Sequence, residues 1–236
     1  MADLVIYGSP VSPFVRKAAA VCIEKGVDFE LESVNVFDPP DWFREISPMK
    51  RIPVLRDRSI AEEGIPGTIA DSSAICGYIE KKHPDVPMYP AEPYAYGRAL
   101  WIEEYADSHL AATGGLGIFR AVFFNMMQGK EPDVETTRET WAEKMPPILT
   151  YLDSALGDGE FYAGETLSIA GGLRFVWPRS WQSERPRPEL PLFTKTTVGR
   201  FSNLKCPTSG PCAQAVCAIW RGQTPMTSAM SRAFLA

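Results

Sequence analysis

The chain of 236 residues has 45% hydrophobic and 22% charged side chains and a formal net charge of −5, which fits one or two globular domains with a sizeable core. This balance excludes a nucleic-acid footprint spread over the whole molecule, and no window approaches the ~18 apolar residues of a membrane span. The N-terminus lacks a basic stretch followed by an apolar one, and the five cysteines show no paired metal spacing, so the expectation is a reduced cytoplasmic setting with no metal.

In chain order, the first element is a short apolar strand, "DLVIYG" at 3–8, which breaks into Ser-Pro-Val-Ser-Pro. Two prolines this close end a strand, yet proline suits the first position of a helix, where its missing N–H has no partner to lose. Ser12 therefore reads as an N-cap and Pro13 as the start of a helix over 13–25, with Phe14, Ala18, Val21 and Cys22 on one face and Gly26 just past its end. Residues 28–36 alternate loosely enough for a strand, 39–46 form a short helix, and "IPVLRD" at 52–57 a further strand. A loop over 58–67 rich in Gly, Pro and acid leads to a short strand, "TIA", and then to "DSSAICGYIEKKHP" at 71–84, a helix ended by Pro84. The order βαβ, then α, then ββα predicts a small α/β domain over residues 1–84 with a mixed sheet.

Residues 85–91, "DVPMYPA", read as a linker, and beyond them the apolar period is helical throughout. Residues 92–127 make one long helix or two in tandem, with "TGGLG" at 113–117 as a kink; 133–156 make another, carrying Trp141, Met145, Ile148, Leu152 and Leu156 at helical spacing and bent at Pro146-Pro147. Trp101 and Tyr105 fall four apart and read as core packing. An α/β domain joined to an all-helical one over 92–170 is the architecture these patterns predict.

Four motifs then carry a resemblance: "SPFVRK" at 12–17, "SPMKRIPVL" at 47–55, "ADSSAICGYIE" at 70–80 and "LWIEEYAD" at 100–107. In this order and spacing, over roughly residues 3–170, the chain resembles the cytosolic glutathione S-transferases of the serine type. The resemblance implies a thioredoxin-like α/β N-terminal domain, an all-α C-terminal domain, glutathione as co-substrate, a hydrophobic electrophile as second substrate and a homodimer. It also implies the activity, conjugation of the glutathione thiolate to electrophilic small molecules. The other reading is a glutathione-binding scaffold or interaction protein with impaired catalysis.

Each motif has a physical job. Only the thiolate attacks electrophiles, and a free cysteine thiol has a pKa of ~8.5. A hydroxyl at a helix mouth can donate to sulfur while the positive end of the helix dipole adds to it, and lowering the pKa by about two would favour the anion by about 2.7 kcal/mol. The resemblance assigns that role to Ser12; on local sequence alone Ser12 is an N-cap, and Tyr7, in the strand, is the second candidate hydroxyl. At Ile52-Pro53 the resemblance implies a cis bond that leaves the Ile52 backbone open for antiparallel pairing with the cysteinyl part of glutathione; otherwise Pro53 is an edge-strand proline. Asp71 and Ser72 stand at the start of a helix, where free N–H groups and the dipole attract a carboxylate. The resemblance gives Asp71 the ligand's ammonium and Ser72 its γ-glutamyl carboxylate, with aspartate where the family more often has glutamate. Arg51 is assigned the glycyl carboxylate, with solvated surface charge as the alternative. His83 and His109 carry no motif.

The resemblance ends near residue 170. Family members usually start a buried helix there with a Ser/Thr-x-x-Asp capping box, but Ser168 is followed by Gly171 where Asp is expected. Residues 1–170 hold 27 acidic and 15 basic side chains, whereas 171–236 hold 2 and 9, with seven prolines and three of the five cysteines. Two readings stay open for 171–236: a shift of reading frame, since Gly172–Trp177 read one nucleotide later permits Asp-Phe-Ala-Leu-Phe, or a native basic, proline-rich tail.

Overall fold

The computed structural model describes residues 2–172, so the atypical stretch, apart from Gly171 and Gly172, lies outside the described residues. Residues 2–103 and 163–172 form one compact unit and 104–162 another.

The first unit is built on a four-stranded mixed sheet in the order β2-β1-β3-β4: β1 is Leu4–Tyr7, β2 Phe29–Glu32, β3 Val54–Asp57 and β4 Thr68–Ile69. β1 runs parallel to β2, with Leu4 opposite Phe29, and antiparallel to β3, with Tyr7 opposite Val54; β3 and β4 are antiparallel. The two central strands are buried along their whole length, because both faces are covered. On one face Val5, Tyr7 and Val54 pack with Phe43 and Ile46 of α2 (Asp41–Ile46). The strand period of two turns Leu4, Ile6 and Leu55 to the other face, where α1 (Pro13–Glu24) packs on α3 (Ser72–Lys82) and α3 on β3. This is the mixed-sheet α/β domain that the element order predicts, with the thioredoxin-like topology that the resemblance implies.

Several boundaries contract. The strand expected over 28–36 is four residues long, since β1, its one partner among the described residues, is itself four residues long. Ile52 and Pro53 precede β3 and stand outside it.

The loop of 58–67 is tightly held. Arg56, buried in β3, donates to the carbonyls of Ala61 (3.1 Å), Gly64 (2.7 Å) and Pro66 (3.3 Å). Its neighbour Asp57 is buried too; burial alone would raise its pKa, but Lys82, Ser59 and Tyr78 donate to its carboxylate and bring it from an ordinary 3.8 to about 2. A carboxylate with a depressed folded pKa stabilises the fold above its unfolded value and loses that contribution as pH falls through the folded one. Wild type is therefore expected to exceed Asp57→Asn by about 2 kcal/mol in urea unfolding at pH 6, and the gap to close between pH ~4 and ~2.

The segment after α3 is anchored. The Glu80 carboxylate accepts the Met88 N–H at 3.1 Å and the Lys25 ammonium at 2.6 Å, Lys25 also donates to the Val86 carbonyl, and Met88 is buried with its carbonyl accepting Ile169 N–H at 2.7 Å. α4 (Pro93–Glu104) follows. Trp101 on α4 is 49% exposed, so its expected place in the core is not the one it takes.

The second unit is helical, as expected, but its turns are wider than a plain 3.6 period. Hydrogen bonding shifts from i−4 to i−5 over Tyr105–Leu110, Gly115–Phe124 and Thr140–Lys144, as in Ala111 N–H to the Ala106 carbonyl and Met145 N–H to the Thr140 carbonyl. Over Met145–Leu156, the residues Met145, Ile148 and Leu152 are buried in the predicted stripe, and the widened turn lies directly before Pro146-Pro147. Helical hydrogen bonding continues through the glycines at 114, 115 and 117, and the change to the wider turn falls between Gly114 and Gly115. Gly117 instead makes a close crossing: a Cβ there would stand 2.1 Å from Thr140 Oγ1.

Candidate functional site

The mouth of α1 follows from Pro13 at the first helical position. Ser12 is extended (φ −66°, ψ 126°), and its Oγ accepts the Val15 N–H at 3.5 Å while its carbonyl accepts the Arg16 N–H at 3.1 Å. The hydroxyl is used only as an acceptor, so its hydrogen has no acceptor among the described residues. Arg16 lies one turn further in; burial pulls its guanidinium down to about 10, which leaves it cationic at neutral pH. Burial pushes the Cys22 thiol up to about 12, so this protein thiol does not compete as a thiolate.

The second element is the turn from Ser47 to Pro53. The buried Ser47 hydroxyl donates to the Arg51 carbonyl at 2.9 Å and accepts the Arg51 N–H at 3.1 Å, and Lys50 takes a left-handed φ of 53°. The Ile52-Pro53 bond is cis. Neither backbone group of Ile52 has a backbone partner among the described residues, while its side chain packs against the Val5, Tyr7 and Val54 cluster. Arg51 is exposed.

The third element is the mouth of α3. Asp71 is its N-cap, with Oδ1 accepting the N–H groups of Ser73 and Ala74 at 2.9 Å each, so Oδ2 remains available on an exposed residue. Ser72 is the first residue of the helix and buried, and its N–H is one of the orphan donors of a helix start.

Two further residues hold these elements together, and the sequence assigns neither of them a role. Gly8 ends β1 where a Cβ would come within 2.5 Å of Val15 Cγ2 and 3.3 Å of Ile52 Cβ, so only glycine lets the first turn of α1 and the Ile52-Pro53 turn approach. Ser47 fixes the backbone leading into that turn. In sequence both look like ordinary turn residues. Tyr7, the second candidate hydroxyl, is in the core: it is buried in the α2-side cluster with its ring 5.0 Å from Trp42. Among the described residues no group of three or more His, Cys, Asp or Glu could hold a metal, and no helix is long and apolar enough to cross a membrane.

A mixed sheet of this topology, with a helix mouth, a cis-proline turn and a second helix mouth at one side and a helical region following, is that of a thioredoxin-like two-domain protein. Residues 6–87 match the family model for the glutathione S-transferase N-terminal domain. Glutathione S-transferase 3 of Zea mays is 28% identical over 194 residues, 80% of this chain and 82% of the maize protein. The uncharacterized GST-like protein YibF of Escherichia coli strain K12 is 31% identical over 165 residues, 70% of this chain and 75% of that one. Among solved structures, rice GST1 in complex with glutathione superposes with a TM-score of 0.56 at 26% identity, covering 72% of each chain. The chain belongs to the glutathione S-transferase family.

Proposed function

We propose that the protein conjugates glutathione to electrophilic, apolar small molecules, with Ser12 as the residue that activates the thiol. The observation that carries this reading is the Ser12 hydroxyl at the mouth of α1, its oxygen already accepting from Val15 and its hydrogen unclaimed within the described chain. Family membership supports glutathione-dependent transferase chemistry broadly.

In this reading Ser12 donates to the sulfur, and the helix dipole adds to the stabilisation of the anion. The thiol proton leaves to solvent; the thiolate lone pair forms the C–S bond, and the leaving group departs with the electron pair of the bond that breaks. The Ile52 N–H and C=O pair with the cysteinyl backbone in the manner of an added strand. Asp71 Oδ2 takes the ligand's ammonium, Ser72 takes its γ-glutamyl carboxylate through hydroxyl and N–H, and Arg51 takes the glycyl carboxylate. Capping and ligand contact coexist at Asp71, because the cap uses one oxygen. The homodimer and the cytoplasmic setting belong to the same reading, as does a glutathione-binding domain over residues 1–84.

Titration with glutathione followed by the ultraviolet absorbance of the thiolate tests it. The expected outcome is a bound thiol whose pKa is lower by about two than in free glutathione. Glutathione retained with an ordinary thiol pKa, and no turnover of electrophiles, would replace the transferase by the scaffold.

A further inference from the structure

Lys17 follows Arg16 in the sequence like one of a pair of surface charges, yet it is 1% exposed. From the second turn of α1 its ammonium donates to Glu103 Oε1 at 2.7 Å and to Ser73 Oγ at 3.0 Å. Glu103 is buried near the end of α4, and Ser73 is the second residue of α3, directly after Ser72. The Ser73 N–H in turn donates to Asp71 Oδ1 at 2.9 Å. One buried charge thus connects α1, five residues beyond Ser12, with the first turn of α3 and its capping carboxylate.

Stability alone does not account for this arrangement. An ion pair taken out of water has a desolvation penalty that can equal or exceed its attraction, and apolar groups of similar volume often serve the fold as well or better. What an ammonium adds over an apolar contact is direction: with acceptors on two other helices, it fixes the separation and rotation of α3 against α1. In the glutathione reading those two helix mouths engage neighbouring parts of one ligand, the cysteinyl sulfur at Ser12 and the γ-glutamyl group at Asp71 and Ser72.

We infer that Lys17 is a positioning residue of the glutathione site, holding the mouth of α3 in register with the mouth of α1 through Ser73 and Glu103. The inference rests on the glutathione reading above and adds to it a residue that touches no part of the ligand.

The test uses the full chain and glutathione itself. The Lys17→Met/Glu103→Leu double variant removes both charges and leaves neither orphaned. It is expected to raise the KM for glutathione about tenfold and to raise the pKa of the bound thiol, while the KM for the electrophile at saturating glutathione stays within about twofold. Lys17→Arg, which keeps the charge, is expected to retain most of the glutathione affinity. Ser73→Ala leaves the ion pair in place and puts a good helix former in the first turn; it is expected to raise the glutathione KM about threefold, and it answers the question if the double variant does not fold. Wild-type affinity and thiol pKa in Ser73→Ala, or in a folded double variant, overturn the role of Lys17 alone. Wild-type protein that binds no glutathione overturns the functional reading and this inference with it.

Discussion

A Ser12→Ala variant is expected to lose about a hundredfold in kcat/KM toward an electrophile while binding glutathione within about threefold of wild type. The magnitude follows from the anion: a thiol pKa held down by about two corresponds to about 2.7 kcal/mol, or a hundredfold in the thiolate fraction at a pH below the pKa. The ligand's remaining contacts are assigned to Ile52, Asp71, Ser72 and Arg51, so loss of one hydroxyl leaves most of the binding intact. Ser12 also caps α1, and its removal lowers stability by about 1 kcal/mol, which a melting curve separates from the kinetic effect. The pH profile is the sharper readout: the rising limb of kcat/KM moves about two pH values to the alkaline side, towards that of free glutathione. Tyr7→Phe leaves both rate and profile in place, because Tyr7 lies in the α2-side core against Trp42. Full activity and an unmoved profile in Ser12→Ala would remove Ser12 from the chemistry.

The parts of this site that were legible in sequence are those whose chemistry is local. Ser12 before Pro13 and Asp71 before Ser72 each set a polar side chain beside a backbone constraint, which makes the two helix caps legible. The cis Ile52-Pro53 bond and the glutathione roles of these residues come from the family resemblance and not from the local pattern. The parts that were not legible depend on what arrives from far along the chain. Lys17 carries no local sign of burial in the sequence because its counter-ion, Glu103, lies 86 residues away. Gly8 reads as the glycine of a turn until Val15 and Ile52 close on it from two sides. Ser47 looks like a loop serine, since nothing in the string says that its hydroxyl will grip both backbone groups of Arg51. Strand lengths were missed for a related reason. The alternation over 28–36 continues past Glu32, but a strand lasts only as long as its partner, and β1 gives way to Gly8 after Tyr7. Trp101 has core-like spacing with Tyr105 and is nevertheless half exposed, because spacing identifies a shared face and not which face is covered.

The helical unit yields a prediction whose sign differs between two glycines two residues apart. By intrinsic propensity, alanine should improve either position in a helical segment by up to about 1 kcal/mol. At Gly115 a Cβ meets nothing within 4 Å, so Gly115→Ala is expected to stabilise by a few tenths to about 1 kcal/mol. At Gly117 the same atom would stand 2.1 Å from Thr140 Oγ1, 2.5 Å from Cγ2 and 2.7 Å from Cβ. Thr140 is buried and β-branched, and with Cβ itself among the overlapping atoms no rotation about χ1 clears the clash. The backbones of the two helical segments must move apart, and in a packed interior such displacement outweighs propensity; Gly117→Ala is expected to destabilise by about 3 kcal/mol. Urea midpoints of the two variants, measured side by side, decide it. Equal midpoints would mean that the segments around Gly117 and Thr140 do not cross at this distance, whereas opposite shifts identify a glycine retained for contact with Thr140 and not for a kink in the chain.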